Sequence, residues 1–222
     1  MEKYALIVAG GKGKRMGHQT PKQFLPLAGK AILLHTLEQF SEAIAEIKFV
    51  LVLPKDQLSL WKEVSANTKY ADVPTAIGGN ERTDSVKNGL DLIPSDSLVG
   101  IHDAVRPLVS AATILGTFAK AEESGNAIPV KTLTDSLRTL EGDISKAVDR
   151  SNYVSVQTPQ CFHAGLIKSA YENLEGSFTD DASVIEAAGE KINLVEGNLE
   201  NIKITTPLDL KLAELLVEER SR

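Results

Sequence analysis

The sequence predicts an α/β fold of three layers, Rossmann-like, in which helices cover both faces of a mostly parallel sheet. Short apolar runs rich in branched residues alternate with longer segments of helical period. This alternation indicates parallel strands joined by crossover helices. The chain has 222 residues, which is enough for one large core, so we expect a single domain over residues 1–222.

The regular elements can be assigned from these runs and periods. Four apolar runs predict the strands of the sheet: 4–9, 49–53, 98–102 and 125–129. Apolar residues three and four positions apart predict the helices that cover it: 32–40, 56–66, 82–92 and 111–123. Nearer the C-terminus, 191–195 and 201–205 predict two short strands, and 207–218 predicts a last helix with proline in its first turn.

Residues 131–157 break this alternation. They contain threonines, a Leu-Glu-Gly-Asp turn at 140–143, and polar-apolar alternation on either side of the turn, which together predict a β-hairpin inserted in the domain. A two-stranded ribbon is only marginally stable in water. We therefore expect this β-arm to pack against a second copy of the chain and to make a homodimer.

Composition narrows the possible partners. The net charge of −6 argues against a nucleic-acid surface, because phosphate backbones attract basic stripes. No apolar run approaches the roughly 20 residues that span a bilayer. Cys161 is the single cysteine, so an internal disulfide and a thiolate metal cluster are excluded. We expect a cytoplasmic protein with small-molecule ligands, with no nucleic-acid partner and no membrane partner.

A glycine-rich segment follows the first predicted strand. Residues 9–17 read Ala-Gly-Gly-Lys-Gly-Lys-Arg-Met-Gly, at the carboxyl end of a strand, where open parallel sheets bind ligands. Glycines allow backbone amides to surround anionic oxygens, and Arg15 adds a two-pronged phosphate donor. The spacing fits neither a Walker loop nor a dinucleotide loop. With Lys22 seven positions after Arg15, the segment predicts a triphosphate site; an ordinary glycine turn is the alternative.

A second candidate lies where the third predicted strand leaves the sheet, in the sequence His-Asp-Ala-Val-Arg-Pro at 102–107. Asp103 supplies hard oxygen ligands of the kind that Mg²⁺ takes from proteins, with substrate phosphates and water completing the shell. The alternative is that Asp103 caps the following turn and pairs with Arg106.

Other segments carry weaker signals. Two glycines, Gly78 and Gly79, precede a predicted helix start, which suits backbone approach to a ring or phosphate, or equally a turn followed by a helix cap. Thr134 and Arg150 lie in or beside the predicted arm, and Lys203 lies ahead of the last helix. Taken singly, these three side chains indicate little.

Seven segments, in this order, resemble the 2-C-methyl-D-erythritol 4-phosphate cytidylyltransferases of the nonmevalonate isoprenoid pathway, and the resemblance runs over essentially the whole chain. The first is the glycine-rich loop with Pro-Lys-Gln-Phe at 21–24. The others are Gly-Gly-Asn-Glu-Arg-Thr-Asp-Ser-Val at 78–86, His-Asp-Ala-Val-Arg-Pro at 102–107, Asp-Arg at 149–150, Gln-Thr-Pro-Gln at 157–160, Thr-Asp-Asp-Ala at 179–182 and Asn-Ile-Lys-Ile-Thr at 201–205.

The resemblance implies a nucleotidyltransferase fold, a β-arm that interlocks two subunits, and a role for each matching residue. The implied catalytic cations are Arg15, Lys22 and Lys203. The implied CTP contacts are Ala9, Gly10, Gly11, Gly13, Gly78, Asp84 and Ser85. Asp103 is the implied ligand of Mg²⁺. The implied contacts of methylerythritol phosphate, some of them from the partner subunit, are Asp103, Arg106, Thr134, Arg150 and Thr179.

Other functions stay open at this point. Ala-Gly-Gly at 9–11 replaces the Ala-Ala-Gly of many isoprenoid members and also occurs in ribitol 5-phosphate cytidylyltransferases, whereas the Asp149-Arg150 pair favours methylerythritol phosphate. A nucleotidyltransferase for another base is a further alternative, and a nucleotide-binding protein without turnover is the last. Binding alone does not need every charge-stabilising group, so the joint presence of Arg15, Lys22, Asp103 and Lys203 argues against the non-catalytic protein.

Overall fold

A computed structural model describes residues 1–9, 20–173 and 178–220 of the chain. The strands in these residues are β1 (Lys3–Val8), β2 (Pro26–Leu27), β3 (Lys30–Ala31), β4 (Lys48–Leu53), β5 (Thr75–Ile77), β6 (Leu98–Asp103), β7 (Asn126–Thr132), β8 (Leu137–Glu141), β9 (Ile144–Val148), β10 (Val154–Val156), β11 (Gln160–His163) and β12 (Leu194–Glu196). The α-helices are α1 (Ile32–Ala43), α2 (Leu58–Ser65), α3 (Arg82–Leu90), α4 (Ala111–Ser124), α5 (Ala164–Asn173), α6 (Asp181–Ala187) and α7 (Pro207–Arg220).

The central sheet has the order β10-β7-β11-β6-β1-β4-β5, with β12 also paired to β7. Strands β6, β1, β4 and β5 run parallel, and β11 runs antiparallel between β6 and β7. In this register Val8 at the end of β1 lies beside Asp103 at the end of β6. The parallel strands therefore deliver their carboxyl ends to one edge of the sheet, where ligands bind in open α/β folds.

Helices cover both faces of the sheet, so the predicted three-layer α/β fold is confirmed. One face packs against α1, α2 and α4, with Phe40, Trp61 and Phe118 in the core. The opposite face packs against α3, α5 and α6, with Val86 and Ile167 in the core. A strand buried on both faces needs apolar residues at consecutive positions, which explains the continuous apolar runs of β1 and β4.

Helix α7 crosses the end of this assembly. It packs on a third cluster that includes Leu27, Val105 and Ile204, next to the segment after β6. None of the helices in the described part of the chain is long and apolar enough to cross a membrane.

The prediction of a strand at 201–205 is wrong. The backbone carbonyl of Asn201 accepts a hydrogen bond from Nη1 of Arg106 at 2.8 Å, and the Ile204 N–H donates to the Val105 carbonyl at 2.9 Å. The Asn201 side chain donates to the Thr158 carbonyl at 2.9 Å. The hydrogen bonds of this segment thus go to the Arg106 side chain and to the Val105 and Thr158 carbonyls instead of to a neighbouring strand. No ladder forms, although the alternation of apolar residues is that of a strand.

Residues 131–157, predicted as one hairpin, contain two antiparallel ladders. β7 pairs with β10 at the base, and the β8–β9 hairpin extends beyond it with Gly142 at a φ of 58° in its turn. Near the tip, Leu140 is 80% exposed and Ile144 is 62% exposed. The hairpin thus presents large apolar side chains to solvent within a single chain.

A buried histidine organises the end of β6. His102 is fully buried and packs edge-on against Phe40, with ring centroids 4.9 Å apart. Its Nδ1 lies 2.9 Å from the Thr158 hydroxyl, its Nε2 lies 3.2 Å from the Arg106 carbonyl, and the Asp103 N–H donates to the same hydroxyl at 3.1 Å. Burial lowers the pKa of His102 from 6.5 to about 4. A neutral ring that donates from Nε2 and accepts at Nδ1 satisfies every one of these contacts.

Close packing in the sheet leads to a first prediction. A Cβ atom added at Gly100 in β6 would lie 2.8 Å from the ring of Phe118 and 3.1 Å from the sulfur of Cys161. Gly100→Ala should therefore lower the free energy of unfolding in urea by about 1–3 kcal/mol, the usual cost of overpacking. Gly116→Ala is the control, because open space surrounds Gly116 in α4, and it should stabilise by up to about 1 kcal/mol. Equal effects of the two substitutions would contradict the packing described.

The histidine leads to a second prediction. The unfolded chain binds a proton at His102 below pH 6.5 whereas the folded chain does so only near pH 4, so stability falls as the pH is lowered through this window. His102 should account for a loss of about 3 kcal/mol between pH 7 and pH 4. The free energy of unfolding of His102→Gln, measured in urea as a function of pH, should lack this part of the decrease. An unchanged pH dependence would show that His102 is not neutral in the fold. Asp103 does not contribute to this pH dependence, because the stability that its ionised carboxylate adds to the fold is lost only as the pH falls below the ordinary pKa of 3.8.

Candidate active site

Two adjoining pockets lie at the carboxyl edge of the parallel strands. The first has a volume of about 210 Å³, and residues that line it include Ala9, Lys22, Arg82, Ser85, Asp103 and Lys203. The second, of about 200 Å³, shares Arg82, Asp103 and Lys203 with the first and adds residues that include Arg106, Thr158, Gln160, Thr179 and Asp180. Because the two pockets share three charged residues, they form one continuous site with two compartments.

Asp103 stands at the boundary between the two pockets. One carboxylate oxygen accepts a hydrogen bond from Nζ of Lys203 at 3.1 Å, and the other accepts from Nε of Arg106 at 2.9 Å. Burial opposes ionisation of this carboxyl, but Lys203 and Arg106 outweigh burial and hold its pKa below the usual range. Asp103 is therefore a permanent anion held between cations. The predicted Asp103–Arg106 pair is thus present and lies in the second pocket, whereas the role of Asp103 as a ligand of Mg²⁺ stays a prediction.

Lys203 reaches the site from a segment that is held at several points. The Asn201 backbone is bound by Arg106, and the side chain of Gln157 donates to the Asn198 carbonyl at 2.9 Å. A Cβ atom at Gly197 would lie 2.3 Å from Oε1 of Gln157, so the segment passes close to that side chain. These contacts place Lys203 beside Asp103 although it is 100 residues away in the chain.

The start of the site, after β1, is tied to the Pro-Lys-Gln-Phe segment. Gln23 is buried, and its Nε2 donates to the Ala9 carbonyl at 3.0 Å and to Oε1 of Gln57. The backbone of 22–24 forms a short 3-10 helix that brings Lys22 to the pocket wall. Ala9 and Lys22, both predicted from sequence, thus line the same pocket. The predicted residues Gly10, Gly11, Gly13 and Arg15 lie outside the described residues.

The glycine pair before α3 has a mixed role. Gly79 lines the first pocket, and a Cβ atom there would lie only 2.1 Å from Cβ of Asp84. Asp84 itself accepts a hydrogen bond from the Glu81 N–H at 3.1 Å, as part of a reciprocal capping box with Glu81. Ser85 is buried at the pocket wall, where its hydroxyl accepts from the Gly79 N–H and donates to the Glu81 carbonyl. Of the predicted CTP contacts here, Ser85 lines the first pocket, whereas Gly78 and Asp84 line neither of the two pockets and Asp84 caps α3.

The predicted acceptor residues fall into two groups. Arg106 and Thr179 line the second pocket together with Asp103. Thr134 and Arg150 are exposed on the arm side, where Nη1 of Arg150 donates to the Thr134 carbonyl. Neither of these two residues lines the pockets formed by the described part of their own chain.

The polar residues of the site that were not predicted from sequence include Arg82, Gln160 and Asp180. Arg82 lines both pockets and forms an ion pair with Asp181. Gln160 is buried and bridges Asp180 and the Ala182 N–H at the start of α6, at 2.8 and 2.9 Å. All three belong to segments that carry the family resemblance, which is the one signal that pointed to them, because their partners lie far away in the chain.

Asp103 is a residue of the site that is suited to a divalent cation. Asp103 is ionised and faces both pockets, whereas no group of three His, Cys, Asp or Glu side chains in the described ranges could hold a metal ion. A cation here would therefore take most of its ligands from a bound substrate and water, as Mg²⁺ commonly does.

The chain is similar to known proteins over nearly its whole length. Relatives named 2-C-methyl-D-erythritol 4-phosphate cytidylyltransferase include one from Bacteroides thetaiotaomicron, 47% identical over 219 residues, covering 98% of this chain and 100% of the relative. Another, from Porphyromonas gingivalis strain ATCC 33277, is 49% identical over 219 residues, covering 97% of this chain and 98% of the relative.

Solved structures show the same similarity. The 4-diphosphocytidyl-2C-methyl-D-erythritol synthase of Anaerococcus prevotii superposes with a TM-score of 0.85 at 29% identity, covering 98% of this chain and 96% of that one. The cytidylyltransferase of Thermus thermophilus superposes with a TM-score of 0.77 at 32% identity, covering 96% and 98%. A model of the family matches residues 4–219, and this match, together with the relatives, shows that the chain belongs to the 2-C-methyl-D-erythritol 4-phosphate cytidylyltransferase family.

Proposed function

We propose that this chain transfers the cytidylyl group of CTP to 2-C-methyl-D-erythritol 4-phosphate, forming 4-CDP-2-C-methyl-D-erythritol and pyrophosphate for isoprenoid precursor synthesis. Membership of the family supports this activity. The observation that carries it is the pair of adjoining pockets that share Arg82, Asp103 and Lys203. Two anionic substrates that react with each other need separate compartments with positive charge at the boundary, and in this site Lys203 supplies that charge.

The reaction is an in-line displacement at phosphorus. An oxygen of the acceptor's phosphate monoester forms a bond to the α-phosphorus of CTP while the bond from that phosphorus to the bridging oxygen of pyrophosphate breaks. The monoester is already largely dianionic near neutral pH, so no general base is needed. Negative charge grows on the leaving and equatorial oxygens, so catalysis depends on alignment and on positive charge placed in advance.

We assign the positive charge to three residues, of which two lie in the described part of the chain. Lys22 and Lys203 line the first pocket, and Lys203 also lines the second. Arg15, in the glycine-rich loop, is the third, and the same loop is assigned to the triphosphate because it follows β1 directly. Arg106 and Thr179 are assigned to the acceptor, since they belong to the second pocket.

We assign Mg²⁺ to Asp103. When bound, the ion neutralises phosphate charge and orients the triphosphate. Asp103 contributes an oxygen that stays ionised at all physiological pH values, because Lys203 and Arg106 keep its pKa low. With the ion bound, the Asp103 carboxylate would be shared between the ion and the side chains of Lys203 and Arg106, which contact it in this structure.

We further propose that the active form is a homodimer joined through the β-arm. The exposed Leu140 and Ile144 supply an apolar surface for a second subunit. Thr134 and Arg150 line neither of the two pockets that the described residues of their own chain form, and we assign them to the acceptor pocket of the partner subunit. A cytoplasmic location stays a prediction from the sequence.

The activity is tested directly by pyrophosphate release from CTP with methylerythritol phosphate, with the product identified by mass spectrometry. Parallel reactions replace the acceptor by ribitol 5-phosphate and replace CTP by ATP, GTP or UTP. We expect turnover with methylerythritol phosphate and CTP to exceed every other combination. Preference for ribitol 5-phosphate, or CTP binding without turnover in any combination, would reject the proposal.

Substitution of the lysine at the boundary tests its catalytic role. Lys203→Gln should lower kcat by about 10²-fold or more, because a preorganised charge is worth most when charge develops in the transition state. The KM for CTP should change much less. Lys211→Gln, which removes an exposed lysine from α7 away from both pockets, should retain wild-type kinetics. A raised KM with normal kcat in Lys203→Gln would assign Lys203 to ground-state binding instead.

Mixing of variants tests the shared site. Arg150→Ala should raise the KM for methylerythritol phosphate and leave that for CTP unchanged, and Arg106→Ala should also impair acceptor use. In an equal mixture that exchanges subunits, half of the dimers contain one subunit of each variant. One of the two sites in each mixed dimer is intact, so about a quarter of wild-type activity should return. No recovery in dimers shown to exchange, by fluorescence transfer between labelled subunits, would place Arg150 in its own chain's site or outside the site.

A further inference from the structure

An ion pair connects the two halves of the site. Arg82 begins α3 on the nucleotide side, and Asp181 begins α6 on the acceptor side, 99 residues later. The guanidinium donates through Nη1 at 2.9 Å and through Nη2 at 2.5 Å to the two oxygens of the carboxylate. Two parallel hydrogen bonds between planar groups fix the relative orientation of the groups as well as their distance.

The two partners occupy different environments. The Asp181 side chain is fully buried, with 0% exposure, whereas that of Arg82 is 28% exposed and lines both pockets. Asp181 also accepts a hydrogen bond from the Tyr171 hydroxyl at 2.6 Å. Burial by itself would lower the pKa of Arg82, but Asp181 outweighs burial and raises it. Arg82 is therefore charged, and its guanidinium is held by a side chain that is buried away from the pockets.

The residues next to each partner are those that form the pocket walls. Glu81 and Asp84, on either side of Arg82, build the capping box that shapes the turn with Gly79 and Ser85. Thr179 and Asp180 precede Asp181 and line the second pocket. Asp180 caps α6 through the Ser183 N–H at 3.0 Å and is held by Gln160. A shift of Arg82 relative to Asp181 would therefore change the distance between the nucleotide wall and the acceptor wall.

We propose that Arg82 and Asp181 are positioning residues that set the alignment of the acceptor pocket with the nucleotide pocket. Their role is exerted through the starts of α3 and α6 and not through a substrate atom. In-line attack depends on the placement of the two substrates, and a misplacement of about 1 Å can cost about 10²-fold in rate. This inference rests on the proposed function, since it concerns the alignment of two substrates in these pockets.

The kinetic test uses variants that keep the size of the side chains. Asp181→Asn, Arg82→Gln and the double substitution should each lower kcat by about 10²-fold, and the double variant should be no slower than either single one. The dissociation constant for CTP, measured by calorimetry without acceptor, should change by less than about threefold. Arg82→Lys keeps the charge but loses the two-pronged geometry, so it should fold and still lose most of the rate.

Tyr171→Phe is the matched control. It removes another hydrogen bond to the same buried carboxylate and leaves the ion pair in place, and Tyr171 lines neither pocket. We expect it to lower the Tm while kcat stays within about twofold of wild type. If Tyr171→Phe and Asp181→Asn lowered kcat equally for an equal loss of Tm, the pair would be only a stabilising contact. If Arg82→Gln were far slower than Asp181→Asn and weakened CTP binding, Arg82 would contact the nucleotide directly. Either result overturns the proposal.

A measurement without turnover separates this inference from the proposed function. Hydrogen exchange of peptides over residues 178–187 reports on the Ala182 and Ser183 amides, which are held by Gln160 and Asp180. Saturating CTP should slow exchange of these peptides in the wild type and in Tyr171→Phe, but not in Asp181→Asn or Arg82→Lys. Absence of a CTP effect in the wild type would overturn the inference. Absence of wild-type turnover with every acceptor, while the CTP effect persists, would overturn only the proposed function.

Discussion

The site depends on the charge of Asp103. This carboxylate lies at the end of β6 and bonds to Lys203 and Arg106, which come from the segment before α7 and from the turn after β6. Cations confined in a pocket repel one another, and each would otherwise move toward water. A buried anion between them lets them stay close before any phosphate arrives. Positive charge that is already in place needs no rearrangement when charge develops in a reaction.

The surrounding hydrogen bonds hold Asp103 and the segment of Lys203 in place. Thr158 contacts both the Asp103 N–H and the ring of His102, and His102 in turn contacts the carbonyl of Arg106. Gln157 and Asn201 hold the segment that delivers Lys203. Because these polar groups are buried, each unpaired donor or acceptor would cost about 1–3 kcal/mol, so the network has few alternative arrangements of similar energy. The rigidity of the site therefore comes largely from neutral side chains, of which Gln157 and Thr158 line the second pocket and His102 and Asn201 line neither pocket.

Much of the architecture follows from local patterns in the sequence. Strands β1, β4 and β6 are continuous apolar runs, and the covering helices have strong periodicity. The rule that ligands bind at the carboxyl ends of parallel strands points to the edge of the sheet where Val8 lies beside Asp103. The same reasoning fails at 201–205, where strand-like alternation is overruled by hydrogen bonds to Arg106 and Thr158. It also leaves Asp84 ambiguous, since an acidic residue in a first helical turn can bind a ligand or cap the helix, and the structure shows a capping box.

The sequence by itself determined the α/β class, the residue types at the strand ends, and the family resemblance. These depend on local periodicity and on motifs, which can be read along the chain. Only the tertiary structure decided which charges meet: Lys203 with Asp103 across 100 residues, and Arg82 with Asp181 across 99. Such pairings arise when distant segments pack on one sheet, and no local pattern encodes the partner. Single residues thus supply the chemistry of the site, whereas the packing of the fold determines how these residues are aligned.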